Sequence, residues 1–169
     1  MALKKNPNLG NVLFSGKKFA ATKIRSSSAN PCSVRCKTCP LMSLTKQISL
    51  ENNTYRLYQD GSCKTEDLVY VYVCKICDDF YIGRTITPLN IRTNGHRAHF
   101  TDGRPERSAL SKHIQVDHPE MFHLHTDNYR VGILAHANPL ALDRIENRFV
   151  IETDADTKHL NKYKPMGDD

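Results

Sequence analysis

The first fifty residues contain no aspartate or glutamate, against nine lysines and arginines. Residues 51 to 169 hold fifteen basic and eighteen acidic residues, so the two segments carry about +9 and −3. A basic arm on a mildly acidic body is expected to attract a polyanion through counterion release, independently of sequence. The alternative is a solvated leader. The chain also lacks a long hydrophobic run, the longest being Leu68 to Cys74, too short to span a bilayer. No secretory h-region stands at its start. Together with a mean hydropathy of −0.53, these absences predict a soluble protein inside the cell, with no membrane partner. There is no internal repeat and no low-complexity tract. With 169 residues, the chain suits one domain of average size or a small core with an added module.

Six cysteines are present. Without secretion they are expected as reduced thiols, which makes metal ligation a better explanation than disulfides. Cys32, Cys36 and Cys39 form C-x3-C-x2-C, and Cys63 follows 24 residues later. Residues 32 to 63 have few apolar side chains between the cysteines, so a tetrahedral zinc on these four thiolates would supply the staple that a core does not. Cys74 and Cys77 need two further ligands, and His113 and His118 in "KHIQVDHPE" are the best candidates. His96 and His99 on one helix face compete with them, as do His123 and His125, expected to point the same way from a strand.

Residues 1 to 31, rich in Lys, Asn, Ser and Gly, read as a mostly disordered arm. Tyr55 to Tyr58 reads as a short strand. Leu68 to Val73 and Phe80 to Thr85 read as a largely buried hairpin bridged by Cys74 to Asp79. Thr87-Pro88 predicts a helix start, running to about Phe100. A second helix is expected over Glu106 to Asp117, a third strand over Tyr129 to Ala135, and a third helix from Asn138-Pro139 to about Glu152. Leu142, Ile145 and Phe149 would form the buried stripe of that last helix. The fold class is α+β: a small, mainly antiparallel sheet of about three strands flanked by helices.

Tyr70, then Tyr81-Ile82-Gly83, then Arg92 and His96, then Glu146 on a later helix and Asn161 near the end form a spaced set. It resembles the GIY-YIG endonuclease family over residues 68 to 161. The second triplet is intact, whereas the first is Leu68-Val69-Tyr70, with the tyrosine kept and the glycine and isoleucine replaced. With "PCSVRCKTCP", Cys63, the Cys74/Cys77 pair and "SALSKHIQVDHPE" included, the arrangement is similar to the endonuclease region of Penelope-like retroelements. There a GIY-YIG domain carries a two-cysteine, two-histidine insertion and follows a cysteine-rich segment.

The resemblance implies a division into an arm (1–31), a four-cysteine zinc module (32–66) and a nuclease domain (67–165) with a second zinc on Cys74, Cys77, His113 and His118. It implies a Mg2+- or Mn2+-dependent DNA nickase in the nucleus, acting with a reverse transcriptase domain of the same polyprotein that extends the 3′ hydroxyl it makes. Glu146 would hold the Mg2+, Tyr70 would act as general base and Tyr81 would orient water or phosphate. Arg92 would clamp the phosphoryl oxygens, and Asn161 would brace the site through its amide. Arg92 and His96 stand one helical turn apart and therefore share a face. A phenol titrates near 10, so Tyr70 needs either a depressed pKa or a proton relay to His96. Two zinc ions with four protein ligands each leave no open position and are structural. The alternatives are a non-catalytic, zinc-stabilised DNA-binding module and a structure-specific repair nuclease.

Overall fold

The computed structural model describes residues 32–33, 35–43 and 45–163. The arm expected over 1–31 and the end of the expected nuclease domain, residues 164 and 165, lie outside them. The fold is α+β. Seven consecutive buried residues form β3 (Leu68–Cys74), between β4 (Phe80–Thr85) and β5 (Tyr129–His136), and the sheet order β4-β3-β5 is antiparallel throughout. Alternation of side chains along a strand gives β3 two different faces. Leu68, Tyr70, Tyr72 and Cys74 join a core with Leu89, Phe100, Leu110 and Ile114 of the first two helices. Val69, Val71 and Val73 join Phe80, Ile82 and Leu142 on the other face.

Helix α1 (Leu89–Thr101) turns Leu89, Thr93, His96 and Phe100 inward. Its first turn starts after Pro88, and two of its leading N–H groups are satisfied from elsewhere in the chain. Leu89 N donates to Thr65 O at 3.0 Å, and Asn90 N donates to Cys63 O at 2.7 Å. The loop that carries Cys63 therefore caps the helix that carries Arg92 and His96. The second helix begins later than its sequence suggests. Pro105–Arg107 form a 3-10 turn, Ser108 is extended, and α2 runs over Ala109–Asp117. Helix α3 (Pro139–Glu152) starts as expected, with the Asn138 side chain accepting from Leu140 N. Leu142 is buried and Ile145 and Phe149 are half-buried against the valine face.

Two expectations are corrected. The strand expected over Tyr55–Tyr58 is β2 (Asn53–Arg56), and it pairs with β1 (Gln47–Leu50), a partner that the sequence did not announce. Leu50 and Leu57 from this hairpin pack under Val69 and Val71, while Leu41 joins the tyrosine-side core. His123 and His125 lie in a 3-10 segment, Pro119–Asn128, instead of a strand, and Pro119 opens that segment in its first turn. Among the described residues, no helix is long and apolar enough to cross a membrane.

Candidate active site and metal-binding clusters

The register places Tyr70 opposite Gly83 and Tyr72 opposite Tyr81, so both β3 tyrosines and Tyr81 share the face beneath α1. Tyr70 and Tyr72 are completely buried, which obliges each hydroxyl to find a partner. Tyr72 lies 2.6 Å from the hydroxyl of Thr93, which itself donates to Leu89 O. Tyr70 is the centre of a longer chain. Arg92 Nε donates to its oxygen at 3.0 Å, and His96 Nε2 lies 3.1 Å away on the other side. His96 Nδ1 is 3.2 Å from Ser108 Oγ. Burial, reinforced by Arg92 and His99, holds the His96 pKa well below its usual value, so the ring is neutral. A neutral ring that donates from Nδ1 to Ser108 accepts at Nε2 from Tyr70, and the chain Arg92 to Tyr70 to His96 to Ser108 is then satisfied end to end.

Gly83 is required by this packing. A Cβ at that position would stand 2.7 Å from the Tyr70 hydroxyl and 2.8 Å from Tyr81 Cε1, closer than real side chains come. The glycine after Tyr81-Ile82 is thus the floor on which the two tyrosines meet. Tyr81 is buried within the electrostatic reach of Arg92. Burial raises the pKa of both Tyr70 and Tyr81, Arg92 opposes the rise, and Glu146 adds to it. Tyr70 therefore keeps its proton near neutrality, and the depressed phenol pKa left open by the sequence is not what the site provides.

Glu146 is buried on α3, at 3% exposure, and its partner is Arg84 at 3.2 Å, which also reaches Asp143 at 3.3 Å. Two other cations are engaged elsewhere: Arg130 pairs with Asp78, and Lys112 lies over the Tyr163 ring. Arg84 was missed, although strand parity could have found it. Residues 81 and 83 face the tyrosine side, so residue 84 at this sheet edge faces α3. β4 is an edge strand of the sheet, and Glu146 lies within electrostatic reach of Tyr70. Asn161 pins the same strand from behind: its Oδ1 accepts from Ile82 N at 2.8 Å and its Nδ2 donates to Ile82 O at 2.7 Å. The site is thus a buried polar network with Arg92 and Arg84 at its more exposed margin.

Two ligand clusters flank it. Among the described residues, Cys32, Cys36, Cys39 and Cys63 form one group, and Cys74, Cys77, His113 and His118 the other, with donor atoms within 4.8 Å of one another in each. All six thiols are free. In the first group Cys63 Sγ lies 3.2, 3.8 and 3.4 Å from the sulfurs of Cys32, Cys36 and Cys39, against about 3.8 Å between thiolates on a tetrahedral zinc. Cys32 N donates to Cys39 Sγ. Burial raises the Cys36 pKa, but N–H groups of Cys39 and Thr38 outweigh it and bring the thiol to about 6. Burial and the neighbouring thiols push Cys63 up, a cost that a bound cation removes.

In the second group His113 Nδ1 meets Asp117 Oδ2 at 2.6 Å, leaving Nε2 to face Cys77 Sγ at 3.5 Å. A carboxylate on the far nitrogen is the usual orienting contact of a metal-bound histidine. His118 Nε2 is buried without a hydrogen-bond partner, an expense that a metal bond would remove. Both groups can hold a metal such as zinc, and neither leaves a fourth position open. Comparison with protein-family models, with curated proteins and with solved structures finds no match to this chain.

Proposed function

We propose that the chain is a GIY-YIG-type DNA endonuclease that nicks DNA with Mg2+, serves a Penelope-like retroelement in the nucleus and carries a structural zinc in each cluster. One observation carries the reading: the Tyr70 hydroxyl is held between the Arg92 guanidinium and the neutral His96 ring, within electrostatic reach of the buried Glu146. Hydrolysis of a phosphodiester needs a base for water, cations for the phosphoryl oxygens and charge relief at the leaving oxygen. Tyr70 accepts the water's proton as its own passes to His96 Nε2, while Ser108 holds the ring from Nδ1. Burial and Arg92 oppose protonation of His96, and the negative charge growing on the clamped phosphoryl group offsets that opposition. Arg92 presents the remaining donors of its planar fork to the phosphate. Glu146, a hard oxygen donor, suits Mg2+, which is commonly held by one or two carboxylates together with substrate phosphates. The ion would supply Lewis-acid neutralisation at the phosphoryl and leaving oxygens. The 3′ hydroxyl released would prime synthesis by the attached reverse transcriptase.

A second reading, the non-catalytic DNA-binding module, is favoured by the complete burial of Tyr70 and by Leu68, buried at the start of β3 where the resembled triplet has glycine. A plasmid assay separates the two. With Mg2+, the wild-type protein is expected to nick supercoiled plasmid, and Arg92→Ala or Glu146→Ala to lower nicking by about a hundredfold or more while retaining the folded state. Wild-type protein that binds DNA but is inert across divalent metals would establish the module instead.

A further inference from the structure

The face of α1 opposite Arg92 and His96 lines a second concavity. This cleft of about 670 Å3 lies between the helix and the four-cysteine cluster. Its cations are Arg35, Lys37, Lys64 and Arg97, its neutral polar groups include Asn90 and Asn94, and no carboxylate lines it among the described residues. Arg97 is partly committed to structure, since it touches Asp127 and the Lys37 carbonyl. Arg35, Lys37 and Lys64 are exposed. Four thiolates around Zn2+ carry a formal charge of −2, so the three exposed cations leave the cleft positive even when they balance the cluster.

We infer that this cleft binds the DNA phosphate backbone, so that the cysteine cluster is a docking element holding the duplex at a point away from the cleavage site. The inference rests on the nuclease reading for the identity of the polyanion. Cys63 belongs to the cluster and its carbonyl caps α1, so the docking site and Arg92 are fixed to one rigid helix, on opposite faces. Phosphate contacts of this kind set position and supply affinity without reading bases.

The test is fluorescence anisotropy of the zinc-loaded full chain with a short labelled DNA duplex, titrated between about 50 and 200 mM salt. The triple variant Arg35→Ala/Lys37→Ala/Lys64→Ala is expected to bind at least tenfold more weakly. Its plot of log affinity against log salt should be shallower by roughly 2 to 3, at about 0.9 for each phosphate that is no longer neutralised. Lys37→Ala alone should flatten the slope by about 0.9, and the charge-conserving Arg35→Lys/Lys37→Arg/Lys64→Arg should restore wild-type affinity. Zinc content is measured on every sample. Unchanged affinity and slope in the triple variant, absence of binding by the wild type, or losses that follow zinc content instead of charge would each overturn the inference. Tight, charge-dependent binding without nicking would leave the cleft assignment standing and remove the catalytic reading.

Discussion

Val69, Val71 and Val73 on one face of β3 meet Phe80, Ile82 and Leu142, side chains that require only matched volume. Tyr70 and Tyr72 on the other face bring hydroxyls that must be paired, and each is paired to a residue of α1. The same strand therefore carries a packing surface and a polar network one residue apart. The valine face tolerates substitutions of similar size. On the tyrosine face, moving one ring displaces Arg92 and His96 together, which under the nuclease reading ties packing to activity.

Four experiments break or sharpen this contrast. The largest effect is expected from Arg92→Ala, which removes the donor between Tyr70 and the phosphate and should lower nicking by about a hundred- to a thousandfold, the usual size for a missing transition-state donor; single-turnover rates measure it. Next come the ligand clusters. His113→Ala should reduce bound zinc from two ions to one by elemental analysis, and lower the unfolding temperature by on the order of 10 °C, as several kcal/mol would for a chain of this size.

The third experiment sets the faces against each other. Leu50→Ala on the valine side should cost about 2–5 kcal/mol in denaturant unfolding yet leave nicking intact well below the transition. Gly83→Ala should cost only about 1–3 kcal/mol but depress nicking far more, since its Cβ collides with the Tyr70 hydroxyl. The reverse ranking would mean that the tyrosines only pack. The smallest effect is a pH slope. His96 titrates lower in the folded state than in the unfolded chain, so the unfolded state binds the extra proton, and stability should fall as pH drops below about 6.5. His96→Gln should lose that contribution. Nicking itself should stay flat from about pH 7 to 9 if Tyr70 passes its proton to His96, instead of rising tenfold per pH unit as prior ionisation of a phenol would require.

The strands β3, β4 and β5 were legible because buried alternation and turn residues announce them, and α3 because Asn138-Pro139 supplies a cap. The β1–β2 hairpin was not, since Gln47–Leu50 has weak local preference and acquires strand form by pairing with β2 and burying Leu50. Helix α2 starts late because Ser108 remains extended, with its side chain on His96, a tertiary contact that no local pattern reports. The spacing of cysteines proposed the first ligand group, the resemblance chose His113 and His118 for the second, and each set of four lies together in the fold. Spacing could not reveal Asp117 behind His113 or Arg84 beside Glu146, because those partners depend on how helices and strands meet.

The most direct test is an isosteric one: Glu146→Gln keeps the shape beside Arg84 and removes the charge that pairs with Arg84 and would hold Mg2+. Incubated with supercoiled plasmid and Mg2+, wild-type protein should accumulate nicked circles while the variant, with wild-type zinc content and assayed well below its own unfolding temperature, should not. Equal nicking by the two proteins would contradict the account.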